Sequence, residues 1–388
     1  MPHAQAHLPP EDAAAAFMPF GDSLYLDCAA RAPMLRSVHA AGLAALQANA
    51  TPWTQSFDAL AAQVEAVRAL AARLLDGDPD AVALVPSAAF ALSTAARNLP
   101  LAPGEAVLLL EGQFPSNLLP WQQRCAEAGA RITGVRRAPG QDWTDAVLAA
   151  LAAEPRVRVV ALPQVRWDDG AVLDLDRIAP SVHAAGAALV LDLSQSLGAL
   201  PADIARWRPD FVACVGYKWL LGPRGLAWLW AAPRWREAGV AIEQHWSARD
   251  AGADWRFPVE APPPSRHGAR RFDAGELDEP LLLAMAAAGL EQVLAWGVPA
   301  IAAALGERTR ALDAALDASG LSAWKTPGHA PHLTALRPPA ERLDAVFDAL
   351  VRERVACTRR HGLLRIAPHL HVTPDDMARV AAVAAGAA

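Results

Sequence analysis

Lysine is nearly absent from this chain of 388 residues. Of its 35 basic residues only Lys218 and Lys325 are lysines, and the rest are arginines, which stay protonated and supply no amine nucleophile. Chemistry that needs an amine therefore has two candidate positions. Cysteine is sparse as well. Cys28, Cys125, Cys214 and Cys357 stand apart with no CxxC spacing, the pattern of reduced thiols and not of a disulfide framework or a zinc site. The opening MPHAQAHLPPEDAAAAF has no positive stretch ahead of an apolar one, so no secretory signal is expected. Apolar runs such as PLLLAMAAAGL meet a charge well short of membrane-spanning length. GxGxxG after a strand, GxxxxGK[ST], GxSxG and HExxH are missing, which withdraws the usual support for dinucleotide, nucleoside-triphosphate, α/β-hydrolase and zincin readings. A net charge of −6 argues against nucleic acid or an anionic membrane surface as partner. The expectation is a soluble, cytoplasmic protein.

Apolar residues are plentiful, at 53% of the chain, enough for a large core or two packed ones. Short apolar runs alternate with longer helical stretches: AVALV (81–85), EAVLLL (105–110), VRVVAL (157–162), AALVLD (187–192), FVACV (211–215) and GLAWLWA (225–231). Such continuous apolarity suits strands buried on both faces, hence an α/β fold with a mostly parallel sheet between helices. Near 248–272 the chain turns Pro- and Arg-rich. An Ala/Leu helix pattern (280–318), a strand HLTAL (332–336), a helix ERLDAVFDALVRE (341–353) and LLRIAP (363–368) follow. The expected organisation is an N-terminal arm (1–20), a large domain (21–260) and a smaller α+β C-terminal domain (261–388).

In such sheets ligands lie beyond the carboxyl ends of the strands. Ser87, Ala88 and Ala89 follow the first run and open a helix, whose N-terminus exposes unpaired N–H groups to an anion; the plainer reading is an ordinary Ser cap. Phe114 follows the second run, where an aromatic stacks on a planar ligand or simply packs in the core. Asp192 ends a fully apolar strand and needs a cationic partner, an arginine or a protonated heteroaromatic nitrogen. Lys218 comes 26 residues later among glycines and aromatics. Partial desolvation there would free the amine that a Schiff base requires. A phosphate cradle, a stacking ring, a carboxylate and a lysine are together the parts of a pyridoxal 5'-phosphate site.

The segment VLDLSQSLGALPADIARWRPDFVACVGYKWLLGPRGLAWLW (190–230), with YLDCAARAPM (25–34) upstream, resembles the class V aminotransferase family of fold-type I pyridoxal-phosphate enzymes. That family includes cysteine desulfurases, kynureninases and isopenicillin-N epimerases. The resemblance implies that Lys218 binds the cofactor aldehyde, Asp192 the pyridine nitrogen and Gln195 the ring hydroxyl. It implies that Phe114 stacks on the ring, Tyr217 contacts the phosphate and Arg365 grips a substrate carboxylate, with Gln164 and Trp167 on the substrate side. A small amino-acid substrate and a homodimer follow, with the Arg-rich 266–271 segment reaching a neighbour's phosphate region. Two departures stand out. Cys357 lies eight residues before Arg365 (365 − 357) with no glycine-rich loop, which disfavours desulfuration. Glu276 stands where relatives carry a phosphate-binding threonine, and a carboxylate there repels phosphate. His361, His369 and His371 lack an acidic or thiol partner at ligand spacing, so no metal site is expected. The expected activity is amino-group transfer; the alternatives are a kynureninase-like or C–S lyase, an epimerase-like racemase, or a non-enzymatic binding or regulatory protein on the same fold.

Overall fold

The computed structural model describes residues 13–138 and 140–387; residues 1–12 of the expected N-terminal arm lie outside them. Among the described residues twelve strands occur in chain order: β1 (Leu24–Tyr25), β2 (Val82–Val85), β3 (Ala106–Leu110), β4 (Arg131–Val135), β5 (Val157–Pro163), β6 (Ala188–Asp192), β7 (Phe211–Val215), β8 (Ala227–Ala231), β9 (Thr334–Leu336), β10 (Val355–Ala356), β11 (Thr358–Arg360) and β12 (Leu363–Ile366).

Seven of them form the central sheet in the order β2-β8-β7-β6-β5-β3-β4. Only β8 runs against the others. The six apolar runs of the sequence become β2, β3, β5, β6, β7 and β8. All but Arg158 of β5 and Ala188 at the start of β6 are buried, because helices cover both faces. β4 went unseen in the sequence. It is an edge strand of mixed polarity, RITGV, and only its Val135 is buried. The strand order places β6 and β7 side by side, so Asp192 and the turn leading to Lys218 emerge at one edge of the sheet.

A buried arginine ties the first sheet strand to its covering helix. Arg68, on the helix Phe57–Ala72, donates to Val82 O at 2.7 Å and to both carboxylate oxygens of Asp273. Asp273 Oδ1 also accepts the Leu84 N–H at 2.8 Å.

The helix expected over 280–318 is two helices, Pro280–Trp296 and Val298–Ala318, set 77° apart. Gly297 sits between them at φ +78°, in the region that a side chain disfavours. The first helix packs into the core of the sheet through Leu283, Ala286, Leu290 and Val293. A separate cluster joins Leu312, Leu316, Leu336, Val346, Leu364 and Ile366 to Leu24 and Leu26. Ile301 and Leu305 of Val298–Ala318 belong to the first cluster and Leu312 and Leu316 to the second, which also draws on Leu24 of β1. Phe17, 1% exposed, is likewise core, stacked on Trp296 at 6.0 Å.

Candidate active site

The carboxyl ends of β2, β3, β5, β6 and β7 open on one cleft. It is lined by Ser87, Ala88, Ala89, Gln113, Phe114, Trp167, Asp192, Ser194, Gln195, Tyr217 and Lys218, among others. Ser87 caps the helix Ala88–Asn98, its Oγ accepting the Phe90 N–H at 3.1 Å. The amides of Ala88 and Ala89 precede the first intrahelical acceptor and are left to meet an anion at the positive end of the helix. The serine is an ordinary cap, and the helix end it frames lines the cleft. No arginine lines this cleft, and its only lysine is Lys218.

Lys218 is 7% exposed. Its Nζ lies 5.5 Å from the Phe114 ring centroid and 5.9 Å from that of Tyr217. Burial pushes its ammonium down to about 8, against the opposing pull of Asp192. The loop that follows is pressed into place by the helix Pro280–Trp296. Gly289 makes that approach possible, because a Cβ there would stand 2.7 Å from Leu220 O. Asp192 is buried too, and its Oδ1 accepts the Ser194 N–H at 3.0 Å. Among the described residues no arginine or lysine pairs with it within 4.0 Å, although most other buried carboxylates here have such a partner. A protonated ring nitrogen would supply the missing charge. Lys325, the other lysine, is bound to Asp317 at a distance in sequence from any cleft residue.

Gln195 is held at three points. Its Nε2 donates to Ala29 O at 3.0 Å, its Oε1 accepts the Trp219 indole N–H at 3.0 Å, and its backbone oxygen meets His332 Nε2 at 2.5 Å. Trp167 forms the outer wall. Its indole N–H donates to Gly112 O at 2.9 Å, and its ring stands edge-on to Phe114 and to His361.

Two residues expected on the substrate side do not reach the lining. Gln164 alternates with Pro163 and Val165, which do face the cleft; its Nε2 turns to Pro201 O instead. Arg365, 2% exposed, lies behind Trp167. It donates from Nη1 to Trp167 O at 2.9 Å and from Nη2 to Asp27 Oδ1 at 2.8 Å, and its Nε has no partner. The Arg-rich segment is also spoken for within its own chain: Arg266 and Arg270 pair with Glu65, Arg270 also with Asp80, and Arg271 with Gly239 O. Glu276 is exposed at φ +60° and faces His245 at 3.6 Å. His369 and His371 are packed among Phe17, Phe20 and Trp219, whereas His361 Nδ1 meets Asp168 at 3.3 Å.

Sequence reasoning missed Asp27, Trp219 and His332, which contact expected site residues from outside the cleft: Asp27 holds Arg365, and Trp219 and His332 hold Gln195. Asp27 lay within the N-terminal motif and Trp219 beside the lysine, so both had a local signal; His332 had none.

The chain matches the Aminotransferase class-V family over residues 24–244. It belongs to that family. Orphan helix amides, a lone buried carboxylate and a desolvated amine in one cleft fit pyridoxal phosphate, the cofactor of class V aminotransferases, and the chain is accordingly an enzyme of the pyridoxal-phosphate-dependent kind. An uncharacterized aminotransferase, YcbU, of Bacillus subtilis (strain 168) is 28% identical, over 84% of this chain and 83% of its own length. Isopenicillin N epimerase of Streptomyces clavuligerus is 31% identical over 42% of this chain and 41% of its own length. Cysteine desulfurase CsdA of Escherichia coli is 30% identical over 36% and 34%. Among solved structures, a variant of C-DES with glycine covalently linked to its pyridoxal-phosphate cofactor superposes with a TM-score of 0.84 at 19% identity, covering 95% of this chain and 98% of that one. C-DES in complex with cysteine persulfide, described as a cystine C–S lyase, superposes with 0.82 at 20% identity over 94% and 97%. At these identities the superpositions establish the fold.

Proposed function

We propose that this class V enzyme transfers the amino group of a small α-amino acid, with Lys218 as the residue that carries the cofactor. The observation that carries the reading is the position of Lys218: buried, its ammonium pushed down to about 8, between Phe114 and Tyr217 and opposite Asp192. When bound, the cofactor supplies an electron sink for a carbanion at the substrate Cα. Everything else falls to the chain. The Ala88 and Ala89 amides would hold its phosphate, Phe114 would pack against its ring, and Asp192 would keep a proton on its ring nitrogen. Lys218, whose buried ammonium gives up its proton more readily than an exposed lysine does, would take and return the proton at the substrate Cα. Arg365 would bind the substrate carboxylate once Trp167, whose backbone oxygen it holds from behind, shifts to admit it, and its unpartnered Nε–H is the donor it has to spare.

The likeness in sequence to cysteine desulfurases weighs toward sulfur chemistry, so a C–S or C–C lyase is the second reading. The chain's own thiol weighs against desulfuration. Cys357 sits between β10 and β11, and burial pushes it up to about 12, far from the thiolate that a sulfur-accepting nucleophile must be. Incubation with a panel of amino acids, with and without 2-oxo acids, separates the readings: keto-acid-dependent amino transfer supports the first, and keto-acid-independent release of ammonia or sulfide replaces it with the second. Borohydride reduction and peptide mapping should tag Lys218; a tag on Lys325 removes the assignment.

The working form is a homodimer. Its support is the phosphate end of the cleft, which offers neutral donors and no arginine, and the exposed aromatic surface of Trp53, Phe57 and Trp255 on this chain. A monomer by light scattering with full cofactor occupancy contradicts it.

A further inference from the structure

We infer that Trp219 is a positioning residue for the cofactor: by occupying the carbonyl end of the Gln195 amide, it leaves that side chain a single N–H to offer the cofactor's ring hydroxyl. The inference rests on the pyridoxal-phosphate reading of the cleft. A free glutamine is ambivalent, since its carbonyl accepts and its NH2 donates. Here both ends are pinned. The Trp219 indole donates to Oε1 and Nε2 donates to Ala29 O, each at 3.0 Å. Turning the amide over would set NH2 against the indole N–H and carbonyl against carbonyl, stranding buried groups. His332 completes the clamp, gripping the Gln195 backbone oxygen with its ring edge-on to Trp219 at 4.4 Å. Gln195 lines the cleft together with Asp192 and Lys218, and its second Nε2–H is the donor it has left.

A donor at the ring oxygen has a definite sign. The oxygen carries its full negative charge only after the proton it shares with the Lys218 nitrogen has left. The Gln195 N–H therefore stabilises the deprotonated form more and lowers the pH at which that proton is lost. The charged and titratable groups around the pair are Asp192, Cys214, Asp27, Arg365 and Tyr217 about Lys218 and His332 against Gln195. Trp219 also packs on His332 and stacks on His369 at 6.0 Å, and a phenylalanine keeps a ring against both while removing the indole N–H.

The test follows the visible absorption band of the cofactor-loaded protein against pH in the parent, Trp219→Phe, Gln195→Leu and the double variant. Trp219→Phe should move the transition upward by about one pH unit, and Gln195→Leu by at least as much. The double variant should move no further than Gln195→Leu alone, because Trp219 acts through Gln195. A parent-like transition in Trp219→Phe, or a shift that adds to that of Gln195→Leu, overturns the inference. Should Trp219→Phe fail to fold, Gln195→Leu decides, and an unchanged transition there overturns it. A parent whose band is not fixed to Lys218 by borohydride fails differently, at the cofactor reading itself.

Discussion

Replacing Asp192 with asparagine isolates one charge. The amide oxygen can still accept the Ser194 N–H now bound at 3.0 Å, and the side chain stays at the buried end of β6, so the fold should persist. What is lost is the carboxylate opposite a protonated ring nitrogen. At ~4 Å and an effective dielectric of ~20 that attraction is worth about 4 kcal/mol. Losing most of it slows cleavage of the α-bond by about two to three decades. The assay is exchange of the substrate α-proton for deuterium in D2O, followed by NMR, which reads the proton step whether the enzyme transaminates, eliminates or epimerises. Substrate binding should change far less, because the carboxylate is held elsewhere. A second signature comes from Lys218. Asp192 props up its ammonium, so the asparagine variant should release the Lys218 proton at lower pH than the parent. Exchange at close to the parent rate in a cofactor-loaded Asp192→Asn protein would refute the pairing, and with it the assignment of Gln195 and Lys218 made from the same segment.

Arg365→Gln should raise KM for amino acid and 2-oxo acid by roughly 10- to 100-fold with a smaller change in kcat; steady-state kinetics showing the reverse split would reassign the carboxylate grip. Arg68→Ala strands the buried Asp273 beneath β2 and should cost about 3–5 kcal/mol in a urea melt. An unchanged midpoint would mean that Asp273 finds another partner. Acid should destabilise the protein early. Burial holds His332 and His371 down to about 4 and keeps His369 well below its ordinary value, against ~6.5 in the unfolded chain. The unfolded state binds protons first, so this contribution is complete above the unfolded value and is lost as pH falls from there toward the folded one. Urea midpoints measured across that interval should fall steadily, and His332→Gln should flatten the slope.

The sequence by itself determined six of the seven strands of the central sheet and narrowed any amine chemistry to two lysines. Strands covered on both faces must be apolar throughout, so β2, β3, β5, β6, β7 and β8 announced themselves, and a chain with two lysines left little choice of amine. The rule that sites gather at strand ends then reached Ser87, Phe114, Asp192 and Lys218 in one dimension. It failed where strand alternation mattered. Gln164 is one residue from two that line the cleft, yet its side chain turns to Pro201, and the two-residue period of a strand sends neighbours to opposite faces. It failed at β4, where an edge strand needs no apolar pattern, and at Gly297, where one backbone angle divides an otherwise continuous helical run. Tertiary structure alone decided the partners. Asp27 meets Arg365 across a separation of 338 residues, the expected Arg-rich arm spends its charges on Glu65 and Asp80, and His332 closes on Gln195 from 137 residues away. Hydrogen bonds and ion pairs act over a few ångströms of space and carry no signature along the chain, so which donor met which acceptor could be known only once the chain had folded.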